Sequence, residues 1–275
     1  MDATDTEASE GTTGDSEGAD VDDVGDGRTG EPTVVTFVGA TGGAGTTRST
    51  LEVAAALAVD GADIAVFDAA FATQGVAAHV DGQLATDLTA LLTDASDAPL
   101  SEGLTTLDWE VEGRVVACPT FAPFERFARA KTPDAARRLE SRLADAANRF
   151  DYVLVDAPPI AANQAVAAVN AADRVVLVAP GTTRGADAAQ RMRTRLAHVG
   201  SEADVVVATR GSFEAADCEL PESGVEDPRS VPACVGGDGA FTEGVVELVA
   251  ATVGRDVGAA FGRGGLLSGV ERYVK

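Results

Sequence analysis

The chain has 275 residues, of which 45% are hydrophobic, so it is not a wholly disordered chain and can build one large α/β domain, or two small ones, around a sizeable core. It contains no run of 18 or more apolar residues, and its N-terminus lacks the basic and apolar regions of a secretory signal; no transmembrane helix and a cytoplasmic location are the expectations. The formal net charge of −23, with two lysines (Lys131 and Lys275) against nineteen arginines, argues against strong nonspecific DNA binding, which rests on neutralising phosphates with Lys and Arg.

Residues 1–31 hold eleven acidic residues, one basic residue (Arg28) and almost no large apolar side chain. Such a segment buries too little surface to offset its ordering entropy, so a disordered acidic tail is expected. From Thr33 the pattern changes. TVVTFV (33–38) reads as a buried strand, followed by a glycine loop and a helix with Leu51, Ala54, Ala55 and Ala58 on one face, ended by Gly61. DIAVFD (63–68) reads as a second strand, with helical segments near 75–80 and 84–92, a polar loop at 93–103 and a third strand at GRVVACP (113–119).

PDAARRLESRLADAANRF (133–150) reads as a helix with proline in its first turn and Ala136, Leu139, Leu143 and Ala147 facing inward. DYVLVDAPP (151–159) is a buried strand stopped by two prolines. Strand RVVLVAP (174–180), helix 183–200 and strand DVVVATR (204–210) follow. Residues 211–240 are rich in Gly, Pro and Asp and read as loop, with room for a short strand around Ser230 to Pro232. FTEGVVELVAATVG (241–254) is the last helix, leaving 255–275 as a C-terminal tail. Alternating strands and helices predict a doubly wound, mainly parallel sheet with helices on both faces, as one domain over residues 32–254.

Ligands of such sheets bind at the carboxyl ends of the strands. Three segments converge there: the loop 39–47, Asp68 and Asp156. Gly42, Gly43 and Gly45 let the backbone curl so that N–H groups form an anion cradle at the start of the first helix. Thr47 sits where a hydroxyl reaches a magnesium ion, and Asp156 where a carboxylate holds the same ion through water. An equally simple account makes Asp68 and Asp156 strand-end carboxylates that accept nearby N–H groups, and the loop a turn that binds nothing.

The ordered set TGGAGTTRS, VFDAAF, DYVLVDAPP, VVLVAP, VVVATRG and VP resembles the MinD/ParA group of P-loop ATPases, whose deviant Walker A loop is written KGGxGKT. The resemblance covers residues 33 to about 254. It implies a P-loop fold, ATP and magnesium as ligands, and a homodimer that positions a protein partner in division, partitioning or appendage placement. It also implies Gly42, Gly43, Ala44, Gly45, Thr46, Thr47, Arg48 and Arg210 as the nucleotide-binding set, with Thr47, Asp68 and Asp156 at the metal. Thr209 and Arg210 fall where relatives contact the adenine ring; the alternative is a solvated strand end.

The chain departs from that pattern at three places. Thr41 stands where the signature lysine reaches the partner's phosphates, Thr46 where the P-loop lysine holds the β- and γ-phosphates, and Ala70 where an aspartate orients the attacking water. Each charge-assisted hydrogen bond contributes about 1.5–3 kcal/mol, and a cation acting on developing phosphoryl charge is worth a factor of ~10² or more in rate. Weakened binding and little or no hydrolysis is therefore the expected activity, with a slow ATPase or a ligand-free scaffold as alternatives. Arg48, on the first turn of the helix, is expected to point away from the cradle.

Other features carry less. The acidic, lysine-poor composition resembles that of proteins from salt-loving microbes, whose carboxylates hold water while salt screens their repulsion. Cys118, Cys218 and Cys234, and His79 and His198, have neither disulfide nor metal-ligand spacing. Arg184, Arg191 and Arg195 share a helix face, which reads as a solvated stripe before it reads as a DNA contact. Leu266, Leu267, Val270, Tyr273 and Val274 near the C-terminus suit a packed or frayed tail better than a membrane-touching helix.

Overall fold

The computed structural model describes residues 34–81, 85–225, 227 and 230–262. The acidic segment 1–31 and the apolar residues 266–274 lie outside them. In chain order the strands are β1 (Val34–Gly39), β2 (Asp63–Asp68), β3 (Thr105–Thr106), β4 (Arg114–Cys118), β5 (Tyr152–Ala157), β6 (Arg174–Pro180), β7 (Val205–Thr209) and β8 (Cys218–Leu220). They form one sheet in the order β3-β4-β2-β5-β1-β6-β7-β8, parallel throughout except for the antiparallel edge pair β3–β4. The helices are α1 (Thr46–Val59), α2 (Leu88–Leu92), α3 (Phe124–Arg129), α4 (Pro133–Ala147), α5 (Asn163–Asn170), α6 (Thr183–His198) and α7 (Ala240–Val253).

The strands are apolar on both sides because helices cover both sides. In β5, Val153 and Val155 face a core shared with Leu88, Leu139, Leu143 and Met192, while Tyr152 and Leu154 face one shared with Leu51, Leu57, Val245 and Leu248. This is the doubly wound arrangement the alternation predicts. Helix α4 starts where the sequence places it: Thr132 caps it, its hydroxyl accepting from the Ala135 N–H, and Pro133 follows. Ala136, Leu139 and Leu143 are buried, but Ala147 is only partly so; Ala135 and Ala146 complete the face.

Helix α1 departs from the one-faced expectation. Every residue from Ser49 to Ala58 is buried, because α1 lies between the sheet and α7. A helix buried all round shows little amphipathic pattern.

Four aspartates set the strand starts. Asp151, Asp173, Asp204 and Asp217 each accept the N–H at the start of a neighbouring strand, at Asp63, Val34, Val175 and Val206, over 2.8–2.9 Å. A share of the acid content is thus structural, fixing register at the amino end of the sheet.

Several short elements were not expected. Strand β3, helices α3 and α5, and a 3-10 turn at Leu100–Gly103 lie in stretches read as loop or left unassigned. The helical segment near 84–92 narrows to Leu88–Leu92, capped by Asp87, and that near 75–80 is a 3-10 turn at Val76–His79. The short strand sought around Ser230 to Pro232 is instead β8, held by parallel pairing to β7, and Val231–Pro232 is a cis peptide. No described helix is long and apolar enough to cross a membrane.

Candidate nucleotide-binding site

Strand β1 ends at Gly39, and the chain curls through Ala40–Gly45 into α1. Gly43 (φ 70°) and Gly45 (φ 94°) take the left-handed backbone that only glycine adopts cheaply; Gly42 does not. Helical bonding starts at once, the Ser49 N–H donating to the Gly45 carbonyl at 2.9 Å. Two side chains from the end of β7 hold the curl. The Thr209 hydroxyl donates to the Ala44 carbonyl and the Arg210 guanidinium to the Gly43 carbonyl, each at 2.6 Å. In a trans peptide the following N–H points opposite to the carbonyl, so the amides of Ala44 and Gly45 are turned away from β7. Thr209 is buried and Arg210 exposed, and both buttress the loop.

Next to the loop, the Thr47 hydroxyl donates to Asp156 Oδ2 at 2.5 Å. Asp156 is the register partner of Asp68 on the neighbouring strand, and both are buried. Asp68 Oδ1 accepts the Ala70 N–H at 3.0 Å and Oδ2 the Val76 N–H at 3.2 Å, which folds residues 69–76 back over the site. Within that fold a Cβ on Gly75 would lie 2.7 Å from the Thr47 hydroxyl, so glycine is needed for the close approach. Burial raises the pKa of Asp156 from the ordinary carboxylate range to about 6, its bond from Thr47 pulling the other way. Burial, and then the Asp156 charge, push Asp68 well above its ordinary value. Among the described residues neither carboxylate has an ion pair.

The three departures from the family pattern put no cation at positions 41, 46 and 70. Thr41 and Thr46 are half-buried, and the Thr46 hydroxyl tucks against Gly39, where an added Cβ would be 2.7 Å from it. Ala70 is buried in the turn that Asp68 caps. Arg48 points away from the loop, as expected. Its guanidinium is spent on Glu52 (2.6 Å), the Ser223 hydroxyl (2.9 Å) and the Val225 carbonyl (3.3 Å). Glu52, itself fully buried, accepts the Ala233 and Cys234 N–H groups as well.

On the other side of Gly45 a cavity of about 500 Å³ opens between α1, the end of β7 and residues 220–225. Arg48, Arg210, Glu222 and Ser223 give it polar walls; Leu220, Pro221, Val225 and Phe241 give it apolar ones. Ser49 also lines it, and its buried hydroxyl has no hydrogen-bond partner among the described residues. An orphaned buried polar atom beside a cavity marks a place where a ligand or water completes the bonding. Sequence reasoning missed Ser49 and the 220–225 wall; the GTTRS run gave a signal for the first, whereas the wall depends on contacts across about 180 positions of the chain.

The remaining candidates lie elsewhere. Of the α6 arginines, Arg195 donates to the Ile160 carbonyl at 3.4 Å, and Arg184 and Arg191 are exposed. The three cysteines are buried and unpaired, and burial raises each thiol, Cys218 to about 11. Among the described residues no group of three or more His, Cys, Asp and Glu side chains forms a metal cluster. Phe121 and Phe124 are exposed large apolar side chains past the carboxyl end of β4.

A glycine curl between a parallel strand and a helix, with a threonine and a strand-end aspartate beside it, defines the P-loop class of nucleotide-binding α/β proteins. Within that class, a family model described as an AAA domain matches residues 32–204, and the chain belongs to this family. Solved structures agree in fold. The septum site-determining protein MinD of Pyrococcus horikoshii OT3, a complex with Mg-ADP, is 18% identical with a TM-score of 0.67, over 79% of this chain and 94% of its own. A ParA family ATPase from Chlorobium tepidum TLS is 16% identical with a TM-score of 0.66, over 79% and 98%. MinD in the MinC:MinD complex of Aquifex aeolicus is 16% identical with a TM-score of 0.64, over 79% and 93%. No curated protein is a significant match in sequence.

Proposed function

We propose that the protein is a MinD/ParA-type nucleotide-binding switch that binds ATP with magnesium, hydrolyses it weakly or not at all, and acts by engaging a protein partner as a cytoplasmic homodimer. The observation that carries this reading is a phosphate loop that is built but uncharged. Gly43 and Gly45 keep the curl and Thr47 keeps Asp156, while threonines and an alanine replace the charged residues. Backbone N–H groups and the α1 dipole still favour an anion, whereas developing charge at a reacting phosphoryl group meets no side-chain cation. Relatives of the same fold supply the wider context: one is a complex with Mg-ADP and another a complex with the division protein MinC. Residues 32–254 form the nucleotide domain in this reading, with tails at 1–31 and 255–275.

The donor set fits magnesium. A hydroxyl and a carboxylate already in contact, Thr47 and Asp156, are hard oxygen ligands, and no cation of the protein competes for them. Asp68 adds negative charge alongside while its oxygens hold the 69–76 turn. Magnesium, when bound, neutralises phosphate oxygens and offsets the cost of two buried carboxylates.

Equilibrium dialysis with ATP and magnesium, paired with phosphate release, tests the reading. Saturable binding at millimolar ATP with no more turnover than the Asp156→Ala variant is the expected result. Turnover lost in that variant identifies a slow ATPase instead, and absence of binding identifies a scaffold without ligand.

A further inference from the structure

A cation reaches the loop from outside it. Arg210 is the residue just past β7, in the left-handed backbone region (φ 55°), where a residue other than glycine is uncommon. That backbone turns its side chain onto the glycine loop, where one nitrogen bonds the Gly43 carbonyl at 2.6 Å. A guanidinium has five N–H donors, so most of this group remains available. Arg48, the other guanidinium in the cavity wall, has less in reserve, because each of its three nitrogens already makes a bond.

Position decides what Arg210 serves. It lines the cavity together with Gly45 and Ser49, on the side of the loop opposite to the N–H groups of Ala44 and Gly45. A nucleotide with its phosphates at those amides and its base against Leu220, Pro221 and Phe241 has to cross the rim between Gly45 and Arg210 with its sugar-proximal phosphate. The buried, unpartnered Ser49 hydroxyl lies on the same wall and marks it independently as a place for a polar ligand group.

We propose that Arg210 binds the sugar-proximal phosphate of the nucleotide, in place of the lysine that P-loops aim at the distal phosphates. This rests on the nucleotide reading above and deepens it. A cation at the α-phosphate strengthens binding in the ground state and leaves the transferring γ-phosphoryl group untouched, so it offsets part of the binding lost with the lysines without restoring hydrolysis.

The test is dialysis of the full-length protein against adenosine, AMP, ADP and ATP, each with magnesium. Arg210→Asn removes the charge with a residue that tolerates the left-handed backbone, and Arg210→Lys keeps the charge. Arg210→Asn is expected to weaken AMP, ADP and ATP by one common factor of at least ~10, leave adenosine within about twofold, and lose most of the salt dependence of AMP binding; Arg210→Lys recovers most of the affinity. Equal loss for adenosine would make Arg210 a base contact. Loss confined to ADP and ATP would place it at the distal phosphates, and tighter binding in Arg210→Asn would make it a plug; each of these overturns the assignment. Parent protein that binds no ATP overturns the nucleotide reading and this assignment with it, whereas a parent that binds and a variant that binds equally well overturns the assignment alone. A thermal transition matching the parent's shows that each variant is folded.

Discussion

The two ends of the sheet use aspartate in opposite ways. At the amino end, Asp151, Asp173, Asp204 and Asp217 each accept a strand N–H, so their charge is matched by a donor that needs one. At the carboxyl end, Asp68 and Asp156 lie side by side on paired strands, buried and without a cation. Buried like charges work against folding; Asp68 holds the 69–76 turn through two backbone N–H groups, whereas the Asp156 carboxylate meets the Thr47 hydroxyl. The amino-end acids follow from building a parallel sheet. The carboxyl-end pair makes sense once a cation or an anion–cation ligand arrives, and that contrast separates structural from functional acid in a chain that is acidic throughout.

The sharpest way to break the contrast is at a carboxylate that is buried and fully partnered. Glu52→Ala strands two backbone N–H groups and the Arg48 guanidinium, and is expected to cost about 3–5 kcal/mol in chemical denaturation. At the carboxyl end the sign reverses. Asp156→Asn keeps an acceptor for Thr47 and removes a buried charge, so it should stabilise the ligand-free protein by up to about 3 kcal/mol while weakening the magnesium-dependent part of ATP binding.

The pH course of that gain sharpens the point. Asp156 holds its proton in the folded state up to about 6, against 3.8 in the ordinary case, so its favourable contribution is complete at low pH and is lost as pH rises through about 6. The stability gap between Asp156→Asn and parent should therefore open between about pH 4 and 6 and stay level above, read from denaturation at a series of pH values. A gap that closes with rising pH contradicts the buried-acid account.

Smaller effects test the other side. Asp204→Ala leaves the Val175 N–H without its acceptor and is expected to lower stability by about 1–2 kcal/mol at neutral pH, with unchanged ATP binding. Thr46→Lys restores a cation at the phosphate end and should tighten ATP by roughly tenfold, about 1.4 kcal/mol. Turnover should rise above the parent's level as well, and further when Ala70→Asp is added.

Much of this was legible in the sequence because it is local. The long apolar strands, the glycine curl and the convergence of Thr47, Asp68 and Asp156 need only periodicity and the rule that ligands sit at strand carboxyl ends. Helices α3 and α5 are too short to establish a period, and α5 is built mainly of alanine and valine, which mark no polar face. Strand β8 exists through its pairing with β7, and no three-residue run announces itself. The grip of Arg210 on Gly43 spans 167 positions, and no pattern along the chain encodes it. Its left-handed backbone was equally hidden, since arginine is no turn residue.

Glu52 has one more consequence. It rises from the helix that starts at the glycine curl, and its two oxygens grip the backbone at Ala233 and Cys234. The start of α1 and the bend at Ala233–Cys234 are thereby tied together, so the wall behind the glycine curl is anchored by a carboxylate from the helix that the curl begins.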